Sequence, residues 1–391
     1  MAKMESVMAE TLPHAMLPRA NHDELAGQQF VQAMKVHVST KITSGNHKIY
    51  DQVARPKFEK EKRRSPCSRH EVRRLMEDEP YHQMWGSLMR LGQELMWDTV
   101  IDSVDRQLED LIARSRPKGA RGSLTLNPTL EQPRYLAAVD QHGQPGSYYT
   151  DTCDDDVRAG AILDRGASIY HFGGAGGIGM EGRGRTLLQF LFEKYPDLKP
   201  KTIVDIGCSV GASTVPLAKF YPNAKVYGVD TGAPMLRYAH ARAEALGVPV
   251  HYAQQSGENL DFADESVDLV VSLVMLHETS TKALPRIMSE CYRVLKPGGV
   301  VAHLEVPVRY DHMPNLMEQT LRDWQTYYND EPFWGRVCET DLIDSLGVAG
   351  FDDVFEGFQK QTVDPRLGET GFMKVADSRP GHWYVAAGMK S

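Results

Sequence analysis

Beyond about residue 160 the chain alternates short Val/Ile-rich runs with amphipathic helical stretches. Parallel strands need a helical crossover between them, and strands covered on both faces read as near-continuous apolar runs. The alternation therefore predicts βαβ units and a parallel sheet. The strand-like runs are TIVDI (202–206), KVYGV (225–229), PVHYA (249–253), VDLVVS (267–272), GVVAHL (299–304) and GHWYVAA (381–387). Helices are expected over 183–195, 213–220, 233–246, 281–294 and 314–328.

Before residue 160 the texture differs: strand-like runs are scarce, and polar, Met-rich segments dominate. Leu88, Leu91, Leu95, Ile101, Val104, Leu108 and Leu111 recur at three- and four-residue steps, which predicts one amphipathic helix over 84–114, stopping near Pro117 and Gly119. Two apolar runs around Gly143, Pro145 and Gly146 predict a hairpin over 134–150. The expected organisation is an α-rich N-terminal domain, residues 1–160, ahead of an α/β domain, residues 161–391. The first would serve as a cap, as a lid or as the seam of a homodimer.

Composition narrows the partners. The 391 residues are 41% hydrophobic and 25% charged, which excludes collagen, a coiled-coil rod and a wholly disordered chain. A formal net charge of −8 argues against a nucleic-acid partner. Cys67, Cys153, Cys208, Cys291 and Cys338 are scattered, with no C-x-x-C, so neither a disulfide framework nor a zinc knuckle is expected. No metal site is expected either. No apolar run reaches the ~18 residues of a membrane span, and the first residues lack the apolar stretch of a signal peptide. The default expectation is a cytoplasmic protein.

The segment Thr202–Val215, TIVDIGCSVGASTV, takes an apolar strand through a glycine-rich turn into a helix. Such a turn lets a ligand approach the backbone at the carboxyl end of a strand. Three readings compete. As a dinucleotide fingerprint it is poor, because serine stands where the second glycine belongs. As a nucleophile elbow it reads G-x-S-x-G around Ser209, with His171–Gly174 as an oxyanion loop and Asp268 and His303 in triad order, which would make an α/β-hydrolase.

The third reading rests on four motifs in order: VDIGCSVGAST, VYGVD ending at Asp230, ENLDFADESVDLVVS, and CYRVLKPGGVVAHLE. Over about residues 183–310 the chain resembles the class I S-adenosylmethionine-dependent methyltransferases, in the ubiquinone-biosynthesis and small-molecule branch. The resemblance implies a Rossmann-like, seven-stranded, mostly parallel sheet. It implies S-adenosyl-L-methionine as cofactor, S-adenosyl-L-homocysteine as product, and a small-molecule acceptor with an oxygen, nitrogen or sulfur nucleophile, carbon being less favoured. Gly207, Ser209 and Gly211 would cradle the methionine moiety, with Asp205 supporting that loop. Asp230 would hold the ribose, Gln255 and Ser256 would meet the adenine, and Ser272 would complete the cofactor contacts. Two departures stand out: Ser209 replaces a usual glycine, and Ser256 replaces a usual acid. A non-catalytic cofactor-binding protein is the remaining alternative.

Methyl transfer from a sulfonium is an in-line displacement that asks for alignment, a nucleophile in the right protonation state, and exclusion of water. The stretch Ser272–Glu278 leaves the fourth strand of the methyltransferase core and lines the reaction centre in the family. His277 is the expected base or substrate ligand, with Glu305 as runner-up. Tyr148, Tyr149, His171, Tyr327 and Tyr328 are the expected substrate contacts, from aromatic-rich lid segments.

Overall fold

The computed structural model describes residues 14–116, 119–170, 181–306, 309–373 and 381–391. Among them nine strands form one sheet: β1 (Ser123–Thr125), β2 (Thr202–Ile206), β3 (Lys225–Asp230), β4 (His251–Gln254), β5 (Val267–Leu273), β6 (Leu295–Glu305), β7 (Asp352–Lys360), β8 (Phe372–Met373) and β9 (His382–Met389). Their order is β1-β4-β3-β2-β5-β6-β9-β7-β8. All pairs from β1 to β6 are parallel, and β9 enters antiparallel between β6 and β7.

Alternation along each strand assigns side chains to two faces. Ile203, Leu269 and Val300 meet Leu187 and Leu191 of the helix Glu181–Lys194 on one face. Val204, Val270 and Val301 meet Ile287 and Met288 of the helix Ala283–Val294 on the other. Because β2 lies between β3 and β5, the chain leaves it to one side and returns on the other. The crevice at this switch point opens over the carboxyl ends of β2 and β5.

The sheet's central seven strands meet the expected fold. The two additions are short: β1, from the N-terminal part, pairs with β4, and β8 pairs with β7. The run Asp352–Lys360 carries too little apolar alternation to have been expected as a strand. It is placed by its pairing with β9. Two N-terminal expectations are corrected. The predicted helix over 84–114 is two helices, Pro80–Asp105 and Leu108–Arg114, with Gln107 outside helical geometry at φ −117 and its amide bonding to Arg19. The predicted hairpin is a short helix, Arg134–Ala137, then a 3₁₀ turn, Gln141–Gly143, because its glycines serve successive tight turns and neither apolar run finds a strand partner.

The N-terminal helices roof the crevice. Met16, Val31, Met96 and Trp97 share one core with Val210, Met235 and Tyr238. Val38, Tyr50 and Trp85 share another with Met317, Leu321 and Trp324. Beneath the first, the buried Asp164 carboxylate faces His14 Nε2 at 3.0 Å, accepts from the Tyr238 hydroxyl at 2.8 Å and lies 3.6 Å from Arg242 Nε. No described helix is long and apolar enough to cross a membrane.

The roof is seated closely at Gly160, where an added Cβ would stand 2.5 Å from Tyr238 Cβ. No rotamer relieves that clash, so Gly160→Ala is expected to lower unfolding free energy in urea by about 1–2 kcal/mol after its gain in helix propensity. Gly347→Ala, which meets nothing within 4 Å, should instead be neutral or raise stability by up to about 1 kcal/mol. Equal effects of the two would show that the contact at Gly160 is unimportant.

Candidate active site

The turn after β2 places three left-handed residues in alternation: Gly207 (φ 68), Ser209 (φ 51) and Gly211 (φ 74). A Cβ at Gly207 would lie 2.3 Å from Met275 Cγ, and one at Gly211 would lie 2.2 Å from the Tyr252 hydroxyl. Ser209 takes the same backbone region with a side chain. Its amide is held by Asp230, whose Oδ2 accepts from Ser209 N at 2.9 Å while Oδ1 accepts from Gly232 N at 2.9 Å. Burial raises the Asp230 carboxyl above its ordinary range, against the pull of these donors. Below the turn, Asp205 Oδ2 accepts from the Ser213 and Thr214 hydroxyls, each at 2.7 Å. Burial pushes the Asp205 carboxyl up to about 6. Its Oδ1 is buried and makes no hydrogen bond. Gln255 N donates to the Asp230 backbone carbonyl at 2.9 Å, so Gln255 and Ser256 follow β4 beside the end of β3.

A cavity of about 980 Å³ runs from this turn past Tyr148 and Tyr149 to a second polar cluster. That volume is at the upper end for small-molecule sites. β5 ends at Leu273; Val274, a β-branched residue at φ 55, follows it, and the chain then winds one 3₁₀ turn, Leu276–Glu278. Glu305, at the end of β6, anchors this turn. Its Oε1 accepts from Leu276 N at 2.7 Å and its Oε2 pairs with His277 Nδ1 at 2.8 Å. His277 Nε2 then points toward Glu278 Oε1 (3.5 Å) and Glu331 Oε2 (3.8 Å). His142 closes the cluster, with Nε2 at 2.9 Å from Glu278 Oε1 and Nδ1 at 2.9 Å from Glu331 Oε1. Its backbone is left-handed at φ 56, and its carbonyl accepts from Gln93 and Trp97, each at 2.8 Å.

The electrostatics follow from this crowding. Burial opposes charge on His277, yet Glu305 and Glu278 outweigh it and push the imidazolium up to about 10. His142 is likewise raised against its burial, by Tyr148, Tyr170 and the two glutamates. Burial would raise Glu278, but the histidines hold it well below the usual carboxylate range. His303, by contrast, is driven down to about 4 by burial.

The structure brings Gly207, Ser209, Asp230, Gln255, Ser256, Tyr148, Tyr149 and His277 to one cavity. Asp205 and Gly211 support its floor from below, and Glu305 stands behind His277. Three expected contacts lie elsewhere. Ser272 is fully buried, with its hydroxyl on His303 Nδ1 at 2.7 Å, because strand alternation turns it into the sheet's packed face. Tyr327 and Tyr328 are 43% and 44% exposed; only Trp324 of that helical stripe faces inward. His171 and the glycine run after it lie outside the described residues. The hydrolase reading fails on geometry. Asp268 caps the opposite, amino end of β2 at 2.8 Å from Thr202 N, and His303 is enclosed against Ser272, so no triad forms at Ser209. His142 and Glu331 were missed: they pair across 189 positions, and nothing local to either segment marks them.

A family model described as a methyltransferase domain matches residues 203–299. An uncharacterized methyltransferase of Synechocystis is 32% identical over 174 residues, covering 43% of this chain and 76% of the relative. A ubiquinone biosynthesis O-methyltransferase of Methylobacterium is 38% identical over 159 residues, covering 38% and 62%. A tRNA N(3)-methylcytidine methyltransferase of Drosophila melanogaster is 28% identical over 138 residues, covering 31% and 42%. The chain thus spans less than two thirds of the length of the last two.

The buried Asp205 carboxyl offers a pH test of the floor. Its folded pKa lies above its ordinary value, so its contribution to stability is greatest when it is protonated and falls as pH rises toward and past about 6. Unfolding free energy of the wild type, taken relative to Asp205→Asn, should drop by up to about 3 kcal/mol between about pH 4 and about pH 7. A pH-independent difference would refute this placement of the charge.

Proposed function

Because this chain belongs to the class I S-adenosylmethionine-dependent methyltransferases, we propose that it transfers the cofactor's methyl group to an oxygen, nitrogen or sulfur atom of a small molecule held at the His277 end of the cavity. One observation carries this reading: a single cavity joins the glycine turn and Asp230 to the His142–His277 cluster. S-adenosylmethionine, when bound, supplies an activated methyl on a sulfonium.

The residues present fit that cofactor. Gly207, Ser209 and Gly211 keep the turn's backbone open toward the methionine moiety. Asp230 accepts from the ribose hydroxyls with lone pairs left over from its two amide bonds. Gln255 and Ser256 flank the adenine. Asp205 Oδ1, buried without a donor, reaches the methionine amine by way of water. At the other end, Glu305 is a positioning residue that fixes the His277 ring, and that ring stands in the wall that meets the acceptor. Tyr148 and Tyr149 line the passage between the two ends. The roof of N-terminal helices excludes water, and the acceptor aligned beneath it gains most of its rate from proximity.

The enclosed far end and the net charge of −8 favour a free small molecule over a nucleic-acid strand as acceptor. Titration calorimetry with S-adenosylhomocysteine should show saturable binding, and Asp230→Ala should weaken it at least about tenfold, ~1.4 kcal/mol. Absent binding at high micromolar ligand, or unchanged affinity in the variant, refutes the cofactor assignment. Radiolabelled methyl groups should appear in small-molecule extract, and label recovered in RNA overturns the acceptor class.

A further inference from the structure

We propose that His142, His277, Glu278 and Glu331 form a site for one divalent transition-metal ion of the zinc class. One donor atom from each of the four lies within 4.8 Å of the other three. His142 Nε2 and His277 Nε2 stand 2.9 Å and 3.5 Å from Glu278 Oε1, and Glu331 Oε2 stands 3.8 Å from His277 Nε2. Four ligands each ~2.1 Å from an ion are separated by roughly 3.4 Å, so the donors must draw together and the Glu331 carboxylate must turn to close the site.

The surroundings of the four donors match those of built metal centres. Ligating imidazoles nearly always present one ring nitrogen to the metal and give the other to a carboxylate or similar acceptor. His277 does so with Nδ1 on Glu305 Oε2 at 2.8 Å, and Glu305 is itself fixed by Leu276 N. For His142 the Tyr170 hydroxyl, 3.1 Å from Nδ1, takes this part once Glu331, whose Oε1 is 2.9 Å from the same nitrogen, turns to the ion; Asn329 Nδ2 donates to Glu331 Oε1 at 2.7 Å. Both Nε2 atoms are thereby turned to one point.

An independent observation comes from Glu331. The residue is 1% exposed, and its Oε2 is buried with no hydrogen bond. Its Oε1 is satisfied, so the orphan is not the by-product of a misplaced side chain. The pairing of both histidines with Glu278 leaves this oxygen with no hydrogen bond, its contact with His277 Nε2 standing at 3.8 Å. An acceptor left so carries its desolvation cost uncompensated, the more when it is charged. A cation at the point shared with both Nε2 atoms removes the deficit.

Two imidazoles and two carboxylates suit zinc, manganese, iron(II) or cobalt, and disfavour calcium and magnesium, which prefer oxygen alone. The ion would face the cavity, and an acceptor oxygen or sulfur could complete its coordination. That last step rests on the methyl-transfer reading, whereas the metal site itself does not.

The full chain, dialysed against chelator, is to be titrated with Co²⁺, followed by visible d–d absorption, and then with Zn²⁺ in competition. The expected result is saturation at one Co²⁺ per chain, bleached by Zn²⁺. In both Glu331→Gln and His142→Ala the affinity should fall at least about tenfold, with far-UV circular dichroism unchanged. Two substitutions on separate segments keep the test valid if one of them fails to fold. No stoichiometric uptake by wild-type protein that binds S-adenosylhomocysteine overturns the site, as do folded variants that both titrate like the wild type. Metal uptake without S-adenosylhomocysteine binding would instead sink the methyl-transfer reading and leave the site standing.

Discussion

The two ends of the site depend on carboxylates, Asp230 half-buried and Glu305 buried, that fasten one strand end to a neighbouring loop. Asp230, closing β3, accepts the amide of Ser209 across the switch point and the amide of Gly232 in its own loop. Glu305, closing β6, does the same for the turn after β5 through Leu276 N and His277 Nδ1. A carboxylate buried without such donors would neutralise or expel itself into water. With them, each fixes backbone geometry that no residue within the turn could impose. Ser209 and Val274, both left-handed with side chains, persist because the surrounding bonds over-determine them.

The same logic explains why the glycine-turn end and the His142–His277 end differ. The glycine turn, Asp205 and Asp230 all belong to consecutive β2–β3 elements, so one βαβ unit builds that end. The far end draws on four segments: the 3₁₀ turn holding His142, the turn after β5, the end of β6, and the loop carrying Asn329 and Glu331. Such a cluster depends on how those four segments pack and not on the β2–β3 unit.

The N-terminal helices take part in the site's architecture. Trp97 anchors the His142 carbonyl while packing with Met16 and Val31 in the core that also holds Val210 of the glycine turn. The roof therefore holds both a ring of the far cluster and a residue of the near turn. Its own cohesion includes the buried Asp164–Tyr238 hydrogen bond, which ties the helix Arg158–Tyr170 to the helix Ala233–Ala245.

What was legible in the sequence was local. TIVDI and VDLVVS read as buried strands because alternation and β-branching act within a few residues, and the glycine turn read as a ligand bend because a left-handed backbone favours glycine wherever it occurs. His277 and Glu305 were legible through their positions at strand ends. Local pattern failed where tertiary contact outweighed it. The helix over 84–114 broke at Gln107, the glycines at 134–150 made turns without strands, and β7 formed only because β9 offered its edge. Ser272 and the pair Tyr327 and Tyr328 were misplaced because periodicity cannot tell which face will be covered. The sequence by itself determined the sheet, its glycine turn and the acid that closes it. The tertiary structure alone decided that His142 and Glu331 meet His277, because the convergence of side chains 189 positions apart is set by how loops pack, and no short-range preference encodes it.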